Sequence, residues 1–191
     1  MNNAVLISIR PEWCRLIAEG KKTIEVRKSY PKLTAPHKVY IYETRGTERV
    51  GNEHFNLVIC GSGCGAVIGE FVCDGIYYVL DHPEVFAHHP RYYQKTLEAA
   101  CMTAEQAIDY SQGKDLWGWH ITGLRIYDKP KSITDFQRPC GNELYCESCA
   151  MYRARENACG NTALVIRRAP RSWCYVWELG SPAGVRTGRR E

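Results

Sequence analysis

The chain has 191 residues, enough for one domain or for one domain with an insertion, and it can bury a core without disulfides. Hydrophobic residues make up 45% and charged residues 24%, which excludes a largely disordered chain, and no apolar run reaches the roughly 18–20 residues of a membrane span. The formal net charge of +4 is unevenly placed, since residues 1–32 hold seven Lys/Arg against three Asp/Glu and residues 138–191 hold nine against five.

Val5 to Ile9 reads as a short buried strand. The apolar run from Ala4 is too short for a signal-peptide core and ends in Arg10 and Pro11, so a cytoplasmic location is expected, with no membrane association. Pro11 then takes the first position of a short helix with Glu12 in its first turn, Trp13, Leu16 and Ile17 as its apolar stripe and Gly20 as its stop. From Lys22 to Lys28 the residues alternate, which puts Ile24 and Val26 on one strand face and Thr23, Glu25 and Arg27 on the other. A loop with Pro31 and Pro36 leads to a strand from Val39 to Tyr42. Thr44 to Cys64 is polar and Gly-rich, the composition of a long connection, and its Gly61, Gly63 and Gly65 lack the Lys-Ser/Thr ending of a phosphate loop.

Ala66 to Leu80 is a long β-type run in which Gly69 and Gly75 are expected bulges. Residues 83–112 read as helical, with Thr103 and Gln106 in capping-box spacing and a stop at Gly113. Leu116 to Ile126 reads as another strand, and Ala163 to Arg167 and Trp173 to Leu179 as two more flanking Pro170. Five to seven short strands with two or three helices and no βαβ repetition predict an α+β fold built as a small mixed β-barrel. Residues 1–136 with 163–180 make up that unit, residues 137–162 a Cys-rich insertion, and residues 181–191 a flexible basic tail.

Ten cysteines in a reducing compartment are buried thiols, metal ligands or reactive thiols rather than a disulfide framework. Cys140, Cys146, Cys149 and Cys159 give C-x5-C-x2-C-x9-C in a polar segment, which suits a tetrahedral zinc ion of structural role, with free thiols as the alternative. Cys60 and Cys64 form a weaker pair. Cys14, Cys73, Cys101 and Cys174 fall within predicted elements and read as buried thiols.

The run GKKTIEVR, with Gly20, Lys22, Glu25 and Arg27, resembles the G-x-K-x-x-E-x-R signature of the ASCH family, placed directly after a short first helix. The resemblance continues through SIRPEW, KVYIYET, VIGEFVCD, LWGWHITGLRIYDKP and PRSWCYV, and is greatest to ASCH proteins of bacterial and phage genomes. It implies a PUA-like barrel with a cleft beside the first helix and a link to RNA or nucleotide metabolism. Some members of that family hydrolyse acetylated cytidine with a lysine, a threonine and a glutamate, and others are described as ribonucleases. By the signature Lys22 takes the lysine position and Glu70 the glutamate position, but Glu25 stands where the threonine is expected. A carboxylate cannot replace that hydroxyl nucleophile without a change of mechanism.

Lys22, Glu25 and Glu70 are thus the catalytic candidates, and Lys22, Arg27, Trp119, Arg171, Ser172 and Tyr175 the candidates for nucleic-acid binding. Glu25 and Arg27 on one strand face suit a base or phosphate pocket, or else a salt-bridge network tying helix to strand. Trp117 and Trp119 share a face and are either a stacking surface for an unpaired base or core. The binding of RNA or of a modified nucleobase is the leading expectation. Hydrolysis of such a ligand and a protein-adaptor role for the cysteine segment are the alternatives.

Overall fold

The computed structural model describes residues 3–52, 55–60, 63–80, 90–140 and 161–179. Its elements run β1 (Asn3–Ile9), α1 (Pro11–Ala18), β2 (Ile24–Arg27), β3 (His37–Glu43), β4 (Thr47–Asn52), β5 (Phe55–Cys60), β6 (Val67–Cys73), β7 (Ile76–Leu80), α2 (Pro90–Ala99), α3 (Ala104–Ser111), β8 (Leu116–His120), β9 (Thr122–Lys131) and β10 (Trp173–Trp177). Single 3-10 turns occupy Ile133–Asp135 and Thr162–Leu164.

Every residue of β1 after Asn3 is buried, so this strand belongs inside a sheet covered on both faces. It lies second in a five-stranded sheet of order β10-β1-β3-β6-β9, parallel to β3 and antiparallel to β10. A three-stranded sheet, β2-β8-β7, stands apart from it. Ile7, Ile9, Val39, Ile41 and Phe71 of the larger sheet pack with Cys14 and Ile17 of α1 and with Trp119 and Ile121. On the other face of the larger sheet Leu6, Tyr40, Val67 and Val176 are covered by Phe136 and Ile166. The smaller sheet turns Ile24, Val26, Val79 and Leu116 toward Tyr93, Leu97 and Ala100 of the α2 region and Ala107 of α3. Gly118 permits this packing, since a Cβ there would stand 2.7 Å from Ile24 Cγ2 and 2.9 Å from Val79 Cγ2.

The α+β class is as expected, but among the described residues the strands do not close into a barrel: β9 and β10 are edges of an open sheet. The two long runs each break once. Asp74 and Gly75 separate β6 from β7, and Ile121 separates β8 from β9, so each run serves both sheets. Gly69 sits at a register irregularity between β6 and β9, as its spacing suggested, and a Cβ there would meet the Arg125 carbonyl at 2.5 Å.

Two expectations fail in this part of the chain. The segment read as a long connection contains the antiparallel pair β4–β5, because Phe55–Cys60 is a β-type run whose pairing outweighs the polar composition around it. Ala163 to Arg167 is no strand: it holds a 3-10 turn and one bridge, Val165 with Gln137. Most of the predicted insertion and the whole predicted tail lie outside the described residues.

The helix start at Thr103 agrees with the sequence. The Gln106 amide donates to Thr103 Oγ1 at 3.2 Å and the Thr103 amide to Gln106 Oε1 at 2.9 Å, closing a capping box. Thr103→Ala is expected to lower stability by about 1 kcal/mol in urea denaturation without changing the folded structure.

Candidate functional site

Gly20, at φ +70°, reverses the chain after α1, and the Leu16 carbonyl accepts hydrogen bonds from the amides of both Lys21 and Lys22. The reversal folds Lys22 back over the helix, where its Nζ lies 4.9 Å from the centre of the Trp13 ring and donates to the Ala100 carbonyl at 2.7 Å. Strand alternation then sorts the residues of β2 between two environments. Ile24 and Val26 enter the apolar cluster under the helices, and Glu25 and Arg27 are left on the opposite face.

That opposite face is also buried. Lys22 is 3% exposed, Glu25 5% and Arg27 9%, and the three form one ion-pair chain. Glu25 Oε2 stands 3.5 Å from Lys22 Nζ and Glu25 Oε1 3.0 Å from Arg27 Nη2. Arg27 Nη2 also donates to the Ser8 carbonyl of β1. Ser8 is tied in turn to the distant end of the chain, donating from Oγ to the Pro170 carbonyl at 2.7 Å and from its amide to the Ser172 carbonyl at 2.9 Å. Burial lowers the pKa of Lys22, and the neighbouring Glu25 carboxylate acts against that shift.

These groups wall a cleft of about 480 Å³ between α1, β2, α3 and the segment before β10. Arg10 and Arg171 are exposed members of its lining, so the two basic ends of the sequence meet at one hollow. Met102, Gln106 and Tyr110, four residues apart, line it from the α3 side. Arg27 Nε is buried here and has no hydrogen-bond acceptor among the described residues. A buried charged donor left unsatisfied is costly, and Arg27 is the member of the ion-pair chain in which the pairing is incomplete among the described residues.

Residues 7–121 match the ASCH domain, which is more than half of the chain. The chain belongs to the ASCH family. Among solved structures it is similar to the ASCH protein of Zymomonas mobilis, with TM-score 0.52 and 17% identity over 92% of this chain and 88% of that one. Tyrosine-to-phenylalanine and serine-to-alanine variants of the same bacterial protein match with TM-score 0.53 and 18% identity, over 92% of this chain and 91% and 89% of theirs. At such identity the likeness is one of fold. No curated protein sequence matches the chain.

The ASCH cleft brings Lys22, Glu25, Arg27 and Arg171 together and leaves the other candidates outside its lining. Glu70 lies on β6 one residue from Phe71, so its side chain leaves the sheet on the face away from the cleft. It is 3.5 Å from Lys38 Nζ and accepts from the Tyr127 hydroxyl, so the structure does not bring this catalytic candidate together with Lys22 and Glu25. Trp119 is fully buried in the core with its ring edge-on to Trp173, so it presents no face for a base to stack on. Tyr175 accepts a hydrogen bond from the Lys32 amide at 2.9 Å, and Ser172 contributes its carbonyl to Ser8. His120 pairs through Nδ1 with Asp74 Oδ1 at 2.7 Å.

Of the four cysteines read as metal ligands, Cys146, Cys149 and Cys159 lie outside the described residues, and Cys140 is half-buried. Among the described residues no three metal-ligating side chains gather. Cys14 and Cys73 are buried as expected, and burial pushes the Cys73 thiol up to about 11. Cys101 and Cys174 are only half-buried, and Cys101 sits in the turn between α2 and α3 rather than within a helix.

Among the described residues Glu25 is the one counter-charge paired with both buried cations. Glu25→Gln is expected to lower stability by about 3–5 kcal/mol at neutral pH, read by chemical denaturation. Removing the carboxylate takes away the influence that holds the Lys22 pKa up, so folding then releases the Lys22 proton over a wider range below about 10.4. Stability rises with pH wherever the unfolded chain binds more protons, so the deficit of the variant narrows with rising pH across the interval between its own Lys22 pKa and the less strongly lowered one of the parent chain, and is constant above it.

Proposed function

We propose that the cleft binds one nucleotide unit, carried by RNA or presented as a free modified nucleobase or nucleotide. The observation that carries this reading is the unsatisfied Arg27 Nε in a hollow whose lining, among the described residues, has four cations and a single carboxylate. A volume of about 480 Å³ is in the range of small-ligand sites. Arg27 and Lys22 then supply donors for a carbonyl or phosphate oxygen, and Glu25 retains lone pairs for an exocyclic amine. Arg10 and Arg171 at the exposed rim suit the backbone phosphates. Membership of the ASCH family, whose members are generally linked to RNA, supports the same reading.

Binding is favoured over hydrolysis by the position of Glu70. A mechanism shared between Lys22 and Glu70 needs both groups within reach of one substrate, and the two lie on different faces of the fold. The adaptor reading depends on the cysteine segment. Its C-x5-C-x2-C-x9-C spacing retains its reading as a structural zinc site on chemical grounds.

Arg171 is exposed, so its removal leaves the core intact. Arg171→Ala is expected to weaken binding of an RNA oligonucleotide similarly across sequences and to reduce the slope of log K against log salt by about 1. Unchanged affinity and slope in a fluorescence-anisotropy titration would falsify the phosphate role. Elemental analysis of the purified chain is expected to give about one zinc, and a metal-free protein of full stability removes the zinc reading.

A further inference from the structure

The three-stranded sheet carries aromatic rings beyond the cleft that the proposed function leaves unused. Arg27, Trp117 and Tyr78 are direct cross-strand partners on β2, β8 and β7, so their side chains leave the sheet on one face in a single row. Trp117 packs against two tyrosines: its ring centre is 4.4 Å from that of Tyr30 and 4.1 Å from that of Tyr78, with tilts of 55° and 37°. Tyr30 is 42% exposed and Tyr78 50% exposed. Large aromatic side chains held this close and left this open are unusual on a soluble surface unless something covers them.

The row begins at a group already placed in the cleft, since Arg27 lines the hollow and Trp117 is its neighbour across the ladder. The border is cationic. Lys28, next to Arg27, places its Nζ 5.1 Å from the centre of the Tyr110 ring and 3.0 Å from Gln112 Oε1, on the α3 side of the cleft. A basic hollow continuing into exposed rings is the arrangement that holds unpaired bases, with the backbone on the cations and successive bases on the π-faces.

We propose that Tyr30, Trp117 and Tyr78 form a stacking platform for the bases next to the nucleotide in the cleft, so that the ligand is a single-stranded polynucleotide rather than a lone nucleotide. The proposal rests on the cleft reading and narrows its ligand class. Trp117 is the fixed centre of the platform, and the two tyrosines are its open faces. A duplex is excluded, because its bases are already stacked.

The test measures binding of a short mixed-sequence single-stranded RNA, the matched DNA, the RNA duplex and the four ribonucleoside 5′-monophosphates. The wild-type chain should bind the single strands more tightly than the duplex or any monophosphate. The combined Tyr30→Ala and Tyr78→Ala variant should lose about tenfold or more in affinity for the single strands and keep its affinity for the monophosphates. The corresponding phenylalanine variants should bind like the wild type, because stacking needs the ring and not the hydroxyl. Should the double alanine variant not fold, Tyr78→Ala alone carries the comparison. A preference for RNA, a preference for DNA or equal affinity for the two each supports the platform, because stacking needs only the base; a preference of either kind identifies the source. Full oligonucleotide affinity in the alanine variants, with Arg171→Ala still impaired, overturns the platform and leaves the cleft reading standing. A wild-type chain that binds neither oligonucleotide nor monophosphate overturns both.

Discussion

The buried Glu25 carboxylate, held between Lys22 and Arg27, is the constraint on which the cleft depends. Three charges taken out of water are tolerable only when each has a partner, and here both cations also reach beyond the trio. Lys22 leans on the Ala100 carbonyl and the Trp13 ring, and Arg27 on the Ser8 carbonyl. The network therefore fastens α1, the α2–α3 turn and β1 to one four-residue strand, so the chemistry of the hollow and the packing of the fold cannot be altered separately.

The same arrangement explains why one strand can be buried on both faces and yet be charged on one of them. β2 gives Ile24 and Val26 to the helices and Glu25 and Arg27 to the cleft, an alternation that meets two different environments within four residues. Arg27 then satisfies its guanidinium only in part, with Nε left over among the described residues. A site whose walls are fully paired with each other has nothing to offer a ligand; this one retains a donor.

Much of this was legible from residue order. The Lys22–Arg27 run, the helix that precedes it, the Thr103 cap and the basic character of both ends come from periodicity and composition, and the structure brings Lys22, Glu25, Arg27 and Arg171 to one hollow. What escaped was relational. Glu70 had the right residue type, but which face of β6 it leaves depends on Phe71 turning toward the core. The i, i+4 spacing of Gln106 and Tyr110 signals a shared face of α3, with Met102 just ahead of the Thr103 cap, yet the capping role of Gln106 masks it. The Phe55–Cys60 run was hidden by the polar residues around it; Gly75 was read as a bulge within one strand rather than a change of sheet, and Ile121, itself apolar, gave no sign of the break that it occupies.

The clamp between Ser8 and the Pro170–Ser172 segment has a consequence for how the molecule comes into being. Residues from nearly opposite ends of the chain must meet before the rim is complete, and β1 waits unpaired along one edge until β10 is added. Ser8 lies 162 residues before Pro170, so the contact that completes the rim is of long range and cannot form until the intervening chain has been made. The rim is therefore completed late in folding, by docking of β10 and the segment before it, and a chain that lacks that segment leaves Ser8 and one edge of β1 without the partners they have here.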